Sequence, residues 1–217
     1  MARRTKADAN LTRDRLLDAA EKLFQAQGVS RTSLAHIATE AGTTRGAIYW
    51  HFKDKADLFN AMMERITLPL EDALRRAGTE PTEGQDPLDA VYRVIQEALH
   101  KTAHDAQTGR VFDIACHKTE YVEELRAVSE RRSRVIKAAI EMTEKAISES
   151  AAQHRVLLPM PPHTAAQGLH MLVDGLIQNW LLEPGSFDLE QTGQQTIDTY
   201  LRGLGLAVTK GTPGSKQ

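Results

Sequence analysis

Apolar residues recur every three or four positions along most of this 217-residue chain, and that period is typical of amphipathic α-helices. A first stripe predicts a helix over about residues 12–27, which ends where Gly28 permits a left-handed backbone. Later stripes predict further helices, with Pro69 as a kink or a new start, over about residues 54–70, 86–104, 108–118, 120–153, 164–182 and 189–204. The pattern therefore predicts an all-α protein of roughly nine or ten helices.

The stretch over residues 32–51, TSLAHIATEAGTTRGAIYWH, predicts two short helices joined by a tight turn. Leu34, Ile37 and Ala38 fall on one face of the first helix. Gly42 breaks that helix, and the threonine hydroxyls after it are suited to cap the next one.

The second helix of this pair is too short to bury its large side chains. Ile48 and Phe52 lie four apart and pack inward, which leaves outside or at the flank Thr44, Arg45, Gly46, Tyr49 and His51. Such a helix fits the DNA major groove, where Gly46 allows close approach and Arg45 donates to a guanine edge or a phosphate. The alternative is a helical hairpin of an ordinary bundle, whose polar residues are simply solvated.

Charge is distributed unevenly, although the net formal charge of −2 by itself argues against nucleic-acid binding. Residues 1–55 carry ten Lys or Arg against six Asp or Glu, whereas residues 56–217 carry 17 against 23. A basic end on an acidic body is expected of a protein that docks on phosphates. Arg3, Arg4 and Lys6 extend this end, either as a solvated tail or as an arm that touches phosphates or a minor groove.

Lys55 follows Asp54, which is a good N-cap, and so places a cation in the first turn of the next helix. A cation at that end is unfavourable unless an anion lies nearby. A DNA phosphate would supply one; the alternative is a solvated lysine.

The cellular compartment is indicated by cysteine usage and by the absence of long apolar runs. Cys116 is the only cysteine, which excludes an intrachain disulfide and fits a reducing cytoplasm. The basic start lacks the apolar segment of a signal peptide, and no apolar run is long enough to span a membrane.

The run TRGAIYWHFKDKADLF, preceded by TSLAHIATEAG, resembles the DNA-binding domain of the TetR family, above all the AcrR-like repressors of multidrug efflux pumps. The opening MARRTK and the core RGAIYWHFKDK are the most specific parts, while HKTEYVEEL and VDGLIQNWLLEPGSFDL resemble efflux-repressor segments more loosely. The resemblance implies a DNA-binding domain over residues 1–55, a ligand-binding and dimerisation domain over 56–205, and a flexible tail over 206–217.

The resemblance also implies which side chains contact DNA: Thr43, Thr44, Arg45, Gly46, Tyr49, Trp50, His51 and Lys55. Thr32 and Ser33, at the start of the bihelical stretch, complete the predicted set. Tyr49, His51 and Lys55 are expected to contact phosphates and set the register, while Arg45 and the start of its helix read bases. Thr43 stands where a valine is expected in close relatives. This difference is expected to alter either the packing under the turn or the base preference there.

The predicted helix over 164–182 has two different sides. Its apolar side suits a core or a dimer contact, and in the TetR family the last two helices form the bundle between protomers. The expected dimer interface is Leu172, Leu176, Trp180, Ile197 and Leu201.

The other side of that helix is mixed, with Asp174 flanked by apolar residues, and suits a pocket with a few polar anchors. The alternative is an exposed or salt-bridged surface acid. A hydrophobic effector is expected to bind among Ile66, Ile95, Leu99, Phe112, Cys116, Ile136, Ile140, Met171, Asp174 and Gln178.

Metal and enzyme chemistry are not predicted. His100 and His104 lie four apart, as two ligands on one helix would, but no third ligand of suitable spacing is evident, which favours a solvated helix end. Cys116 is expected to be a small buried apolar residue rather than a redox thiol. No phosphate-binding loop, HExxH, CxxC or GxSxG motif occurs, so neither an enzyme nor a cofactor is expected.

These features predict a homodimeric repressor that reads a two-fold symmetric operator and is released by an apolar or aromatic small molecule. Two alternatives stay open, a helical protein-interaction module and an activator-type regulator of another transport or metabolic operon. The basic helix-turn-helix end argues against the first of these.

Overall fold

The computed structural model describes residues 6–79, 86–120 and 122–206. Those residues form nine α-helices and a short 3-10 helix, Glu123–Leu125, and contain no strand. The helices are α1 Lys6–Gln27, α2 Leu34–Glu40, α3 Arg45–His51, α4 Lys55–Thr79, α5 Pro87–His104, α6 Ala106–His117, α7 Arg126–His154, α8 Pro162–Leu182 and α9 Leu189–Gly203. The predicted all-α class is confirmed. Of these helices, none combines the length and apolarity needed to cross a lipid bilayer.

Two helix starts differ from the predicted ones. α1 begins at Lys6 rather than near residue 12, with Asp8 in a first turn that favours a carboxylate. The helix predicted from residue 120 is delayed, because the 3-10 helix intervenes before α7 begins at Arg126. Pro69 does not end α4, which continues through it.

Residue contacts divide the chain into two compact units. The first unit comprises the residues up to Leu68 with Asp105–Arg134, and the second comprises Pro69–His104 with the residues from Val135 onward. α4 and α7 each contribute to both units, and the division within α4 falls at Pro69. The unit that holds α1 to α3 is therefore larger than the segment 1–55 predicted from the sequence, because it also includes α6.

The first unit has a continuous apolar core built around α1. Leu16, Leu17 and Phe24 of α1 are fully buried, and the ring centroid of Phe24 lies 6.1 Å from that of Phe59 on α4. Helices α2, α3 and α6 add their apolar faces to the same cluster. α1 is therefore the scaffold that carries the bihelical pair.

A buried carboxylate joins three helices of this unit. Glu21 on α1 is only 4% exposed, and its oxygens accept hydrogen bonds from Arg110 Nε at 2.8 Å and Gln107 Nε2 at 2.9 Å on α6. Arg65 on α4 pairs with the same carboxylate at 3.5 Å and with Asp18 at 2.7 Å. Because a buried charge is costly unless it is paired, these contacts hold α1, α4 and α6 together.

The core of the second unit depends on a close approach of α5 and α9. Leu99 on α5 is fully buried and lies over Gly193 on α9, where an added Cβ atom would stand 2.5 Å from Leu99 Cδ1. Ile197 and Leu201 on α9 fill the same cluster. Gly193 thus sets how near the two helices come.

A buried acid also caps α5 in this unit. Asp86 is 7% exposed and accepts from the Leu88 amide at 2.8 Å, from Ser150 Oγ at 2.8 Å and from His154 Nε2 at 2.7 Å. One carboxylate therefore satisfies the start of α5 and binds it to the end of α7.

We expect Gly193→Ala to lower the free energy of unfolding by about 1–3 kcal/mol, because the new methyl group would overlap buried Leu99. Gly203→Ala in the same helix is the control, since nothing lies within 4 Å of its added Cβ and helix propensity alone raises stability by up to about 1 kcal/mol. Urea unfolding followed by circular dichroism measures both. Equal effects of the two substitutions on the free energy of unfolding would contradict the close contact between Gly193 and Leu99.

Candidate nucleic-acid interface

Local capping builds the bihelical pair as the sequence indicates. Ser33 caps α2 by accepting from the His36 amide at 3.2 Å, and Thr44 caps α3 by accepting from the Ala47 amide at 3.2 Å. Between them Gly42 adopts φ +63°, a left-handed conformation that a residue without a Cβ takes at little cost. The turn is thus determined by three small residues.

Helix α3 shows the predicted division between buried and exposed side chains. Ile48 is fully buried and Phe52, which caps the helix, is 2% exposed, so both pack into the core of the first unit. Tyr49 is 50% and Trp50 72% exposed, and Thr44, Arg45 and Gly46 are also exposed. The outer face of α3 therefore presents a cation, two aromatic rings and a closely approachable backbone.

Aromatic and cationic groups organise this face. The guanidinium of Arg45 lies 5.8 Å from the ring centroid of Tyr49, within reach of a cation–π interaction. The rings of Trp50 and half-buried His51 meet edge to face, with centroids 4.6 Å apart. These contacts restrict the rotamers of side chains that otherwise face solvent, and so reduce the entropy lost when they bind.

The structure places the Lys55 side chain inside the protein, which argues against the expected phosphate contact. Lys55 is 6% exposed, and its ammonium donates to the carbonyls of Ser30 at 3.4 Å and Thr32 at 3.2 Å. The anion near the start of α4 is the carboxylate of Glu124, 3.0 Å from Lys55 Nζ. The protein itself thus supplies the anion that was expected from DNA.

Thr32 also differs from its prediction as a DNA contact. It is 1% exposed, its hydroxyl donates to the Gly28 carbonyl at 2.8 Å, and it accepts from Gln27 Nε2 at 3.0 Å. Its side chain therefore closes the turn after α1 instead of facing outward.

The other predicted DNA contacts stay predictions, and the positions of their side chains are compatible with them. Ser33 is exposed and Thr43 half-buried at the turn beside α3. Of the predicted basic arm, Lys6 is exposed at the start of α1, whereas Arg3 and Arg4 lie outside the described residues. The predicted tail lies beyond them too, apart from Leu206.

The predicted effector residues are distributed over both units. Ile66, Phe112 and Cys116 are half-buried in the first unit, and Ile95, Ile136 and Ile140 are half-buried in the second. In the second unit Gln178 Nε2 donates to the Asp174 carboxylate one turn earlier on α8, and both side chains are half-buried. Asp174 is therefore neither a fully exposed surface acid nor fully enclosed.

Two members of the effector set are placed differently from the prediction. Leu99 is part of the packed contact with Gly193 and so serves the core between α5 and α9. Met171 is 67% exposed, so its side chain faces away from the interior of its unit. Helical spacing identified the faces of α5 and α8 but not which neighbour covers each face.

The expected dimer residues fall into two groups, one buried in the core and one half-buried. Ile197 and Leu201 are 0% and 1% exposed within their own unit, so they are core residues and the prediction for them is wrong. Leu172, Leu176 and Trp180 are half-buried, and Trp180 Nε1 donates to the Phe187 carbonyl at 3.1 Å. The structure also exposes a stripe of α8 that was not predicted, formed by Met171, Asn179 and Leu182. Their i, i+8 and i+11 spacing places them on one face of the helix and could have indicated this stripe.

A capped pair of short helices, whose second member exposes Arg45, Tyr49 and Trp50, defines a helix-turn-helix protein of the kind that docks on DNA. Comparison with protein families gives the same class: residues 16–62 match the model of bacterial regulatory proteins of the tetR family, and residues 86–206 match the C-terminal region of MAATS-type transcriptional repressors. The chain belongs to the TetR family of transcriptional regulators, which confirms the resemblance noted from its sequence.

Individual relatives extend this likeness over the full chain. The chain is 33% identical to the HTH-type transcriptional regulator AcrR of Shigella flexneri over 222 residues, covering 100% of both proteins. It is 36% identical to NalD, the secondary repressor of the MexAB-OprM multidrug efflux pump in Pseudomonas aeruginosa, with a TM-score of 0.82 and coverage of 94% and 100%. It is 29% identical to SmeT in a complex with triclosan, with a TM-score of 0.79 and coverage of 95% and 100%. SmeT is the repressor of the SmeDEF multidrug efflux pump of Stenotrophomonas maltophilia.

Lys55→Met should lower the free energy of unfolding by about 1–3 kcal/mol, because two carbonyls and Glu124 lose their cationic partner. It should leave the salt dependence of DNA binding unchanged, whereas loss of a phosphate contact lowers the slope of log K against log salt by about one per protomer. Lys53→Met is the control: this side chain is exposed, so stability should change by less than about 0.5 kcal/mol. A lower slope for Lys55→Met would show instead that the Lys55 ammonium contacts a DNA phosphate.

Proposed function

We propose that this protein represses an operon encoding a multidrug efflux pump and leaves its operator when an apolar or aromatic small molecule binds. It acts by binding rather than by catalysis, in the cytoplasm and as a homodimer. The observation that carries the DNA-binding part is the outer face of α3, where Arg45, Tyr49 and Trp50 are exposed while Ile48 is fully buried. The names of the efflux-pump repressors NalD and SmeT support the choice of operon.

The proposed binding mode places the start of α3 in the major groove. Arg45 reads a base edge or a phosphate, Gly46 allows the backbone to come close, and Tyr49 and His51 contact phosphates. A homodimer presents two such helices, which suits an operator with two-fold symmetry. The exposed stripe of α8 is the surface of the second unit that we assign to the partner protomer.

Release follows from a preference of the effector for one dimer state. If the effector binds more tightly to a dimer whose two α3 helices no longer match the groove spacing, operator affinity falls by the same factor. α4 is suited to carry this change, because it is one continuous helix that contributes to both units. Its first turn follows α3 after only three residues.

Arg45→Ala and Tyr49→Ala should each abolish a gel shift on the DNA upstream of the protein's own gene, because each removes an exposed side chain of the reading face. Thermal unfolding should be unchanged, since both side chains lie outside the core. Arg93→Ala, which removes an exposed arginine of α5, is the matched control and should keep the gel shift. DNA binding that survives both α3 substitutions would overturn the assignment of this face.

Asp174→Asn should change the concentration of triclosan needed to release the operator while leaving the operator affinity of the effector-free protein intact. The substitution keeps the size of the side chain but alters the charge and the hydrogen bond with Gln178. Fluorescence anisotropy with labelled operator measures both quantities. Reciprocity adds a second requirement: saturating operator must weaken triclosan binding by the factor by which triclosan weakens operator binding. Equal triclosan affinity with and without operator would refute the release mechanism.

A further inference from the structure

Three side chains with metal-ligating atoms meet on the second unit. His100 Nδ1 lies 2.9 Å from Glu190 Oε2, and His104 Nε2 lies 2.6 Å from Glu190 Oε1. The ring centroids of the two histidines are 4.7 Å apart, and one ligand atom from each of the three residues falls within 4.8 Å of the others. In the described part of the chain, this is the one group of three such residues that comes together in this way.

Local structure explains why these residues converge. His100 and His104 are one turn apart near the end of α5, so both rings leave the same face of that helix. Glu190 lies in the first turn of α9, and three residues further on Gly193 permits the close contact with Leu99, the residue before His100. The packed core therefore fixes the separation of α5 and α9 at this point, within reach of all three side chains.

The chemistry of this group differs from that of an ordinary ion pair. Two imidazoles one turn apart on a helix are a recurrent way to bind zinc, and a carboxylate from another element completes a set of two His and one Glu. Around a tetrahedral zinc ion neighbouring ligand atoms lie about 3.3 Å apart. Small side-chain rotations bring the observed atoms to that spacing, and the three side chains are 39–60% exposed, so water can fill the fourth position.

The charges around the group also suit this role. The Glu190 carboxylate accepts hydrogen bonds from both histidines and, within the described part of the chain, has no other ion-pair partner. The neighbouring cation, Lys101, is paired with Glu97 at 2.8 Å on the same helix.

We propose that His100, His104 and Glu190 form a binding site for a divalent transition metal ion of the zinc class, which clamps the end of α5 to the start of α9. The sequence between the histidines, HKTAH, has no glutamate after the first histidine and so lacks the general base of zinc proteases. A metal ion there ties α5, a helix of the proposed effector region, to α9.

Zinc titration of the tag-free full-length protein tests this site, with isothermal titration calorimetry for stoichiometry and thermal unfolding for linkage. We expect one zinc ion per chain with a micromolar or lower Kd, and a zinc-dependent rise in Tm that magnesium does not produce. His100→Ala, His104→Ala and Glu190→Gln should each weaken binding at least about tenfold, because loss of even an outer partner of a metal ligand has effects of that size. All three positions are partly exposed, so the metal-free variants should keep the Tm of the parent.

The chain supplies a matched control. His163 Nδ1 and Glu144 Oε2 form a single pair 2.7 Å apart, with exposures of 52% and 37% similar to those of the proposed ligands. His163→Ala should leave the zinc affinity unchanged, and so should Cys116→Ser, which removes the only thiol. Zinc binding that persists in His100→Ala and His104→Ala, equal loss in His163→Ala, or no saturable zinc binding by the parent would overturn the proposal. The readouts require no DNA, so their outcome is independent of the proposed repressor function.

Discussion

The burial of Ile48 and Phe52 is the constraint on which the DNA-facing surface depends. α3 has only seven residues, and a helix of two turns is unstable in isolation, so caps and packing must hold it in place. Because these two side chains take up the inward face, Arg45, Tyr49 and Trp50 turn outward, while His51 lies half-buried at the flank. The contacts that stabilise the helix are thus the ones that aim Arg45 and Tyr49 away from the core.

Paired charges inside the first unit supplement this apolar packing. Glu21 is paired with cations of α4 and α6, while Lys55 satisfies two carbonyls of the turn before α2 and pairs with Glu124. Leaving the buried member of either set, Glu21 or Lys55, without its partners would be costly. The first unit therefore combines an apolar core with polar contacts that specify which surfaces meet.

Helical periodicity was sufficient to predict the all-α class, most helix bounds and the division of α3 into buried and exposed faces. It could not reveal which neighbour covers a face, because that depends on residues far away in sequence. Ile197 and Leu201 were on an apolar face, as expected, but the cover is their own unit. Likewise Glu190 lies 86 residues after His104, so its contact with the two histidines becomes visible only when α9 packs on α5.

Pro69 has a mechanical consequence for α4. A proline has no amide hydrogen, so the carbonyl of Arg65, one turn earlier, loses the donor that a regular helix provides. A helix bends most easily where one of its backbone hydrogen bonds is missing. Any bending of α4 should therefore concentrate at this turn, which is also where the division between the two units falls.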